Sequence, residues 1–164
     1  MKDNIVLIGM PGAGKSTVSV VLAKKLGKNF LDSDLVIQEK TGKLLHEIIS
    51  ESGIDEFNRI EDSINASLNV SNTIIATGGS VIYGHNAMEH LKSIGKIFYL
   101  KLSFAEIEER LGDLKKRGVV LRDGQDLKSL YVERVPLYEK YADVTIECDG
   151  KMLREVVEEI ASLY

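Results

Sequence analysis

The sequence predicts an α/β fold in three layers, with a parallel sheet held between two sets of helices. Three observations carry this reading. Five short β-branched or apolar runs alternate with longer segments of helical period. Several of the runs are apolar at successive positions rather than at every second one, the pattern of strands covered on both faces. The strands are joined by helix-length connections, and a strand, helix, strand order closes most simply as a right-handed crossover between parallel neighbours.

Taken in order, Asn4 to Ile8 is the first strand, four of its five residues being β-branched or leucine. Lys15 to Leu26 follows with helical period. Asn29 to Leu31 is a second, shorter strand, and Ser33 to Lys40 a second helix. Leu44 to Leu68 keeps helical period but contains Gly53, so a break is expected there. Thr73 to Ala76 is a strand, Asn86 to Ser93 a helix, Lys96 to Leu100 a strand and Phe104 to Leu111 a helix. Lys115 to Gln125 is charged, glycine-bearing and weakly periodic, and reads as a mobile loop. Helix Leu127 to Tyr141, strand Val144 to Glu147 and helix Met152 to Leu163 complete the chain.

Composition narrows the function. At 164 residues, with two prolines and no Pro-, Gly- or Ser-rich run, the chain reads as one globular unit, residues 1–164, without a linker. Lys and Arg number 21 against 25 Asp and Glu, a formal net charge of -4, which offers no general field for a polyanion; nucleic acid is not an expected partner. Apolar stretches such as Ile97 to Leu100 are far shorter than the roughly 20 residues a spanning helix needs, so no membrane partner is expected either. Met1 runs into a polar pair and a strand rather than a secretory signal, and the single cysteine, Cys148, suits a reducing compartment; the cytoplasm is the expected location. His46, His85 and His90 share no metal-ligand spacing and read as surface or capping residues. No surface for a protein partner is indicated, and a monomer is expected.

The strongest motif is Gly9-Met10-Pro11-Gly12-Ala13-Gly14-Lys15-Ser16, which satisfies G-x-x-x-x-G-K-S and lies between a strand and a helix. Glycines let the backbone curl so that successive N–H groups face an anion, and the following helix adds its positive end. Gly12, Ala13, Gly14, Lys15, Ser16 and Thr17 are therefore the expected nucleotide cradle. Lys15 would reach the β- and γ-phosphates of the nucleotide, and the Ser16 hydroxyl would ligate a magnesium ion held by those phosphates. A bare turn needs neither the lysine nor the hydroxyl. No N-K-x-D segment for guanine is present.

After the second strand comes Phe30-Leu31-Asp32-Ser33-Asp34, two carboxylates at the sheet edge where α/β ligands bind. One carboxylate can hold water on magnesium while the other accepts a hydroxyl proton; either could instead cap the next helix. At this point the chain resembles the shikimate kinase family. The likeness runs through Gly42-Lys43-Leu44-Leu45-His46-Glu47-Ile48, Gly53 with Phe57 and Glu61, Thr77-Gly78-Gly79, Arg110-Leu111, and Leu130 through Arg134 to Pro136-Leu137-Tyr138. The resemblance implies a five-stranded parallel sheet of the P-loop type, a lid over ATP near residues 112–125, and a substrate-binding helical region near 33–62.

The resemblance also assigns roles. Asp32 matches the magnesium-water ligand and Asp34 the acid that holds the acceptor hydroxyl. Lys15 and Arg117 match the cations that neutralise the transferring phosphate, Arg117 arriving with the lid; alternatively Arg117 belongs to a solvated patch with Lys115 and Lys116. Arg134 matches the arginine that grips the substrate carboxylate, its alternative being a surface pair with Glu133 or Glu139. Arg110 matches the residue that packs on adenine, or is an exposed helix arginine. Gly78 and Gly79 would let substrate approach the backbone, or form a plain turn.

Three positions depart from the family pattern. Asn58 stands where the family has an arginine that also grips the carboxylate, and the arginine here is one step later, Arg59; Ser80 replaces a glycine, and Gly118 a proline. Three functions follow as alternatives. The first is phosphoryl transfer from ATP to shikimate, with Arg59 swinging in or Arg134 sufficing. The second is the same chemistry on a different small hydroxylated molecule. The third is a nucleotide-binding regulator without turnover.

Overall fold

The computed structural model describes residues 2–112 and 121–164. Its sheet has five parallel strands, β1 (Asn4–Ile8), β2 (Asn29–Asp32), β3 (Thr73–Ala76), β4 (Gly95–Lys101) and β5 (Val144–Glu147), in the spatial order β2-β3-β1-β4-β5. Every residue of β1 and β3 is buried, as expected for central strands covered by helices on both faces. The edge strands β2 and β5 are partly exposed. Asn4, wholly buried, is fully used: its amide donates to Val70 O and Ile94 O, and its oxygen accepts from Thr73 N–H, tying β1 to both neighbours.

Among the described residues seven α-helices surround the sheet: α1 (Lys15–Leu26), α2 (Ser33–Thr41), α3 (Leu45–Ala66), α4 (His85–Ile94), α5 (Phe104–Leu111), α6 (Leu127–Tyr141) and α7 (Leu153–Leu163). The expected elements differ from these by one or two residues at their ends, where capping decides the boundary. Met152, for example, is the cap of α7 and not its first turn, its N–H donating to Glu155 Oε2. The break expected in the long third helix falls at Gly53, whose φ of 86° and ψ of 168° interrupt α3. No helix among the described residues is long and apolar enough to cross a membrane.

Two cores result. The main one joins β1, β3 and β4 to Leu22, Met88, Leu91, Ile107, Tyr138 and Ile160 of the surrounding helices. A smaller one, Ile37, Ile48 and Phe57, lies between α2 and α3. The α2–α3 pair thus has apolar packing of its own, beside the carboxyl edge of the sheet. Chain connections leave β1 toward opposite sides, β2 and β3 on one and β4 and β5 on the other, so the switch point that opens a crevice lies at the end of β1.

Candidate active site

Three strand ends converge on that crevice. In register, Leu7 of β1 lies beside Ala76 of β3, and Ala76 beside Asp32 of β2. The chain leaves β1 into the glycine-rich loop, β2 into Asp32-Ser33-Asp34 and β3 into Thr77-Gly78-Gly79-Ser80. Thr77 fastens the third exit to the first, its hydroxyl donating to Leu7 O at 2.7 Å. A cavity of about 780 Å³ opens between these segments and α3, reached by Gly12, Gly14, Lys15, Ser16, Thr17 and Asp34, among others.

The loop adopts the curl its glycines permit. Gly14 caps α1 at φ 90°, a left-handed conformation that a side chain would strain. Ala13 N–H turns back to Met10 O at 3.1 Å. The Lys15 ammonium is buried and donates to Gly9 O at 2.7 Å and Met10 O at 2.9 Å. Burial lowers its pKa to about 8, against the opposing pull of Asp34. Arg110 reaches this loop from α5, donating to Gly12 O at 3.3 Å and pairing with Glu106 at 3.6 Å.

Asp32 caps the next helix and also reaches the phosphate loop. One oxygen accepts from Asp34 N–H at 2.9 Å and caps α2, while the other accepts from the Ser16 hydroxyl at 3.0 Å. A hydroxyl and a carboxylate side by side at the phosphate loop form a hard-oxygen pair suited to a divalent cation and its waters. Asp34, by contrast, turns its carboxyl into the cavity. Burial, reinforced by the charge of Asp32, raises its pKa to about 6.

The sequence reading left Glu61 without a role, although it belongs to the matching pattern. It is 1% exposed, on the cavity wall, and accepts from the Ser80 hydroxyl at 2.6 Å through Oε1; Oε2 has no partner. Burial raises its pKa to about 7. A signal was available, since an acid four residues after a core phenylalanine lies on the inward face of a helix. Ser80, where the family glycine would be, therefore uses its hydroxyl on Glu61.

Gly78 sits between the two acids. A Cβ there would lie 2.8 Å from both Asp34 Oδ1 and Glu61 Oε2, so these oxygens are within twice that distance of each other and only a bare backbone fits. Gly78→Ala is expected to displace Asp34 and lower kcat about a hundredfold, because misplacing a catalytic group by an ångström costs on that order. Steady-state kinetics beside an unchanged circular dichroism spectrum checks this. Gly79 is equally crowded, by Pro11 and Arg134, and its carbonyl accepts from Tyr138 OH at 2.7 Å.

Arg134, one turn before Tyr138 on α6, is 3% exposed, faces the cavity over the Tyr83 ring and leaves Nε unpartnered. It is a buried cation, not a surface pair with Glu133 or Glu139. Arg59 is not brought into the cavity. Its side chain is 69% exposed and forks onto Glu56, because Phe57 and Glu61 define the inward face of α3 and one residue is about 100° of rotation. Arg117 and Gly118 lie outside the described residues, as does most of the expected lid. Among the described residues no three His, Cys, Asp or Glu side chains group as metal ligands.

The sequence and the fold are similar to those of known proteins. The sequence model of the family described as shikimate kinase matches residues 11–164. The chain belongs to the shikimate kinase family. It is 40% identical to the shikimate kinase of Thermodesulfovibrio yellowstonii, over 98% of this chain and 94% of that one, and 36% identical to that of Clostridium botulinum, over 99% and 98%. Its structure is similar to that of the shikimate kinase from Acinetobacter baumannii in complex with shikimate, with a TM-score of 0.88 and 33% identity over 99% of this chain and 93% of that one. A kinase of this family is a phosphotransferase with a hydroxyl acceptor, and here the phosphate loop and Asp34 line one cavity.

Proposed function

We propose that this kinase transfers the γ-phosphoryl group of ATP to a ring hydroxyl of shikimate, yielding shikimate 3-phosphate and ADP. The observation that carries the reading is the convergence of Lys15, Asp34 and Arg134 on one cavity: a cation for phosphate, a base for a hydroxyl and a guanidinium for a carboxylate. Asp34 accepts the proton of the acceptor hydroxyl as its oxygen attacks the γ-phosphorus, and the bond from that phosphorus to the bridging oxygen of ADP breaks. Lys15, with Arg117 as its proposed companion, offsets the charge that spreads over the γ-oxygens. Arg134 holds the acceptor carboxylate by its planar fork. Ser16, and Asp32 through water, would hold Mg2+, which neutralises the triphosphate when bound. Arg110, beside the loop, is proposed to border the adenine. We place the enzyme in the cytoplasm, as a monomer.

The titrating groups make a bell-shaped pH profile the expected result. Below about pH 6 Asp34 is protonated and cannot take the hydroxyl proton; above about pH 8 Lys15 is neutral and its charge is lost to the phosphate. The profile of kcat/KM should therefore fall on both sides of this window. Lys15→Arg, whose guanidinium does not titrate there, should abolish the basic limb even at reduced rate; a basic limb unmoved by the exchange would assign it to another group.

A second reading, a different hydroxylated acceptor, is favoured by one arrangement: Asn58 is neutral, and Arg59 is turned out onto Glu56. A coupled ADP-release assay decides between them. Fast turnover with shikimate supports the first reading; turnover only with sugars, polyols or amino-alcohols supports the second. ATP binding with no acceptor phosphorylated would indicate a regulator.

A further inference from the structure

We infer that Arg122 is a substrate-binding residue, the second guanidinium that, with Arg134, grips the acidic group of the acceptor. The inference rests on the reading of that acceptor as a hydroxylated carboxylate. Arg134 is a buried cation that lines the cavity and pairs with no carboxylate among the described residues, which marks an anion subsite on the cavity wall. Behind that wall lies a side pocket of about 20 Å³, bordered by Arg122, Asn58, Tyr83, Glu133, Ser80 and Arg134. Ser80 and Arg134 border both spaces, so the two adjoin at this point. The volume suits one water or a single carboxylate oxygen, not a whole ligand.

The charges around the pocket favour an anion. Glu133 is the one carboxylate on its border, and neutral donors occupy both its oxygens, Tyr83 OH at 2.5 Å and Gln125 Nε2 at 3.2 Å. With Arg122 and Arg134 against Glu133, the residues on the border carry one net positive charge, Asp55 lying outside it. The Arg122 backbone is held in a turn with Gln125, accepting from its N–H at 2.9 Å and donating to its side-chain oxygen at 3.2 Å. Only its side chain is committed elsewhere, to Asp55 at 2.7 Å, and that pair is 55% and 85% exposed. So exposed a pair is held weakly and exchanges readily for a better-buried anion. Helix α3 supplies no cation here, since Asn58 is neutral and Arg59 faces solvent.

The test is steady-state kinetics with shikimate and ATP. Arg122→Ala should raise KM for shikimate about tenfold or more, the scale of a lost charge-assisted bond, while kcat and KM for ATP stay within about twofold. Adding Asn58→Arg to that variant should recover most of the lost affinity, which a merely structural role for Arg122 would not allow. Shikimate turnover by the parent enzyme with KM unchanged in Arg122→Ala overturns this inference alone, as does an equal rise in both KM values. Absence of shikimate turnover by the parent enzyme overturns the functional reading and this inference with it.

Discussion

Asp34→Asn is expected to lower kcat a hundredfold to ten-thousandfold, the range typical for removal of a positioned general base, while ATP affinity changes by less than about twofold. The substitution is close to isosteric, so the crowded contact at Gly78 is kept. The helix cap is kept too, because Asp32 bonds the backbone N–H of residue 34 and not its side chain. What is lost is the ability to accept a proton. The pKa of Asp34, raised by burial to about 6, remains below neutrality, so the wild-type group is ionised and basic at pH 7.5 or so. Lys15 and Ser16 are untouched, so the nucleotide retains its contacts. Parallel measurements of ADP release and of ATP binding by calorimetry check the split; a turnover equal to the parent's would remove Asp34 from the reaction.

Arg134→Ala should raise KM for shikimate by tenfold to about a hundredfold, with a smaller effect on KM for ATP. The guanidinium lines the cavity, is nearly inaccessible to bulk water and pairs with no carboxylate among the described residues, so the acceptor's carboxylate supplies the counter-charge the protein leaves unmet. Arg134→Lys should recover only part of the affinity, because an ammonium lacks the planar fork that matches two carboxylate oxygens. The loss also removes packing over Tyr83 and contact with Gly79, so a thermal melt of each variant belongs beside the kinetics. A KM for shikimate unaltered by Arg134→Ala in a folded protein would place the carboxylate elsewhere.

Much of this was readable along the chain. Successive apolar positions in β1 and β3 announced buried parallel strands, and Gly53 announced the interruption of α3. The phosphate loop was legible because its chemistry is local: glycine conformation, a lysine and a hydroxyl within eight residues. Less legible was the acceptor side. Asp32 read as either a cap or a ligand, and the fold lets it cap α2 with one oxygen while the other meets Ser16. Glu61 and Ser80, 19 residues apart, meet only because α3 lies against the exit of β3.

The linear order of residues was enough to determine the alternation of strand and helix and the identity of the phosphate cradle, since both arise from backbone preferences over a few neighbouring positions. Which arginines border the cavity and its side pocket was decided only by the tertiary structure. Arg59 lies beside the matching position in sequence yet faces solvent, whereas Arg122 and Arg134 come to one pocket from a turn and a helix far along the chain from α3. The reason is physical: a helix carries each successive side chain through about 100°, and the packing of other elements selects which of those directions becomes an interior wall.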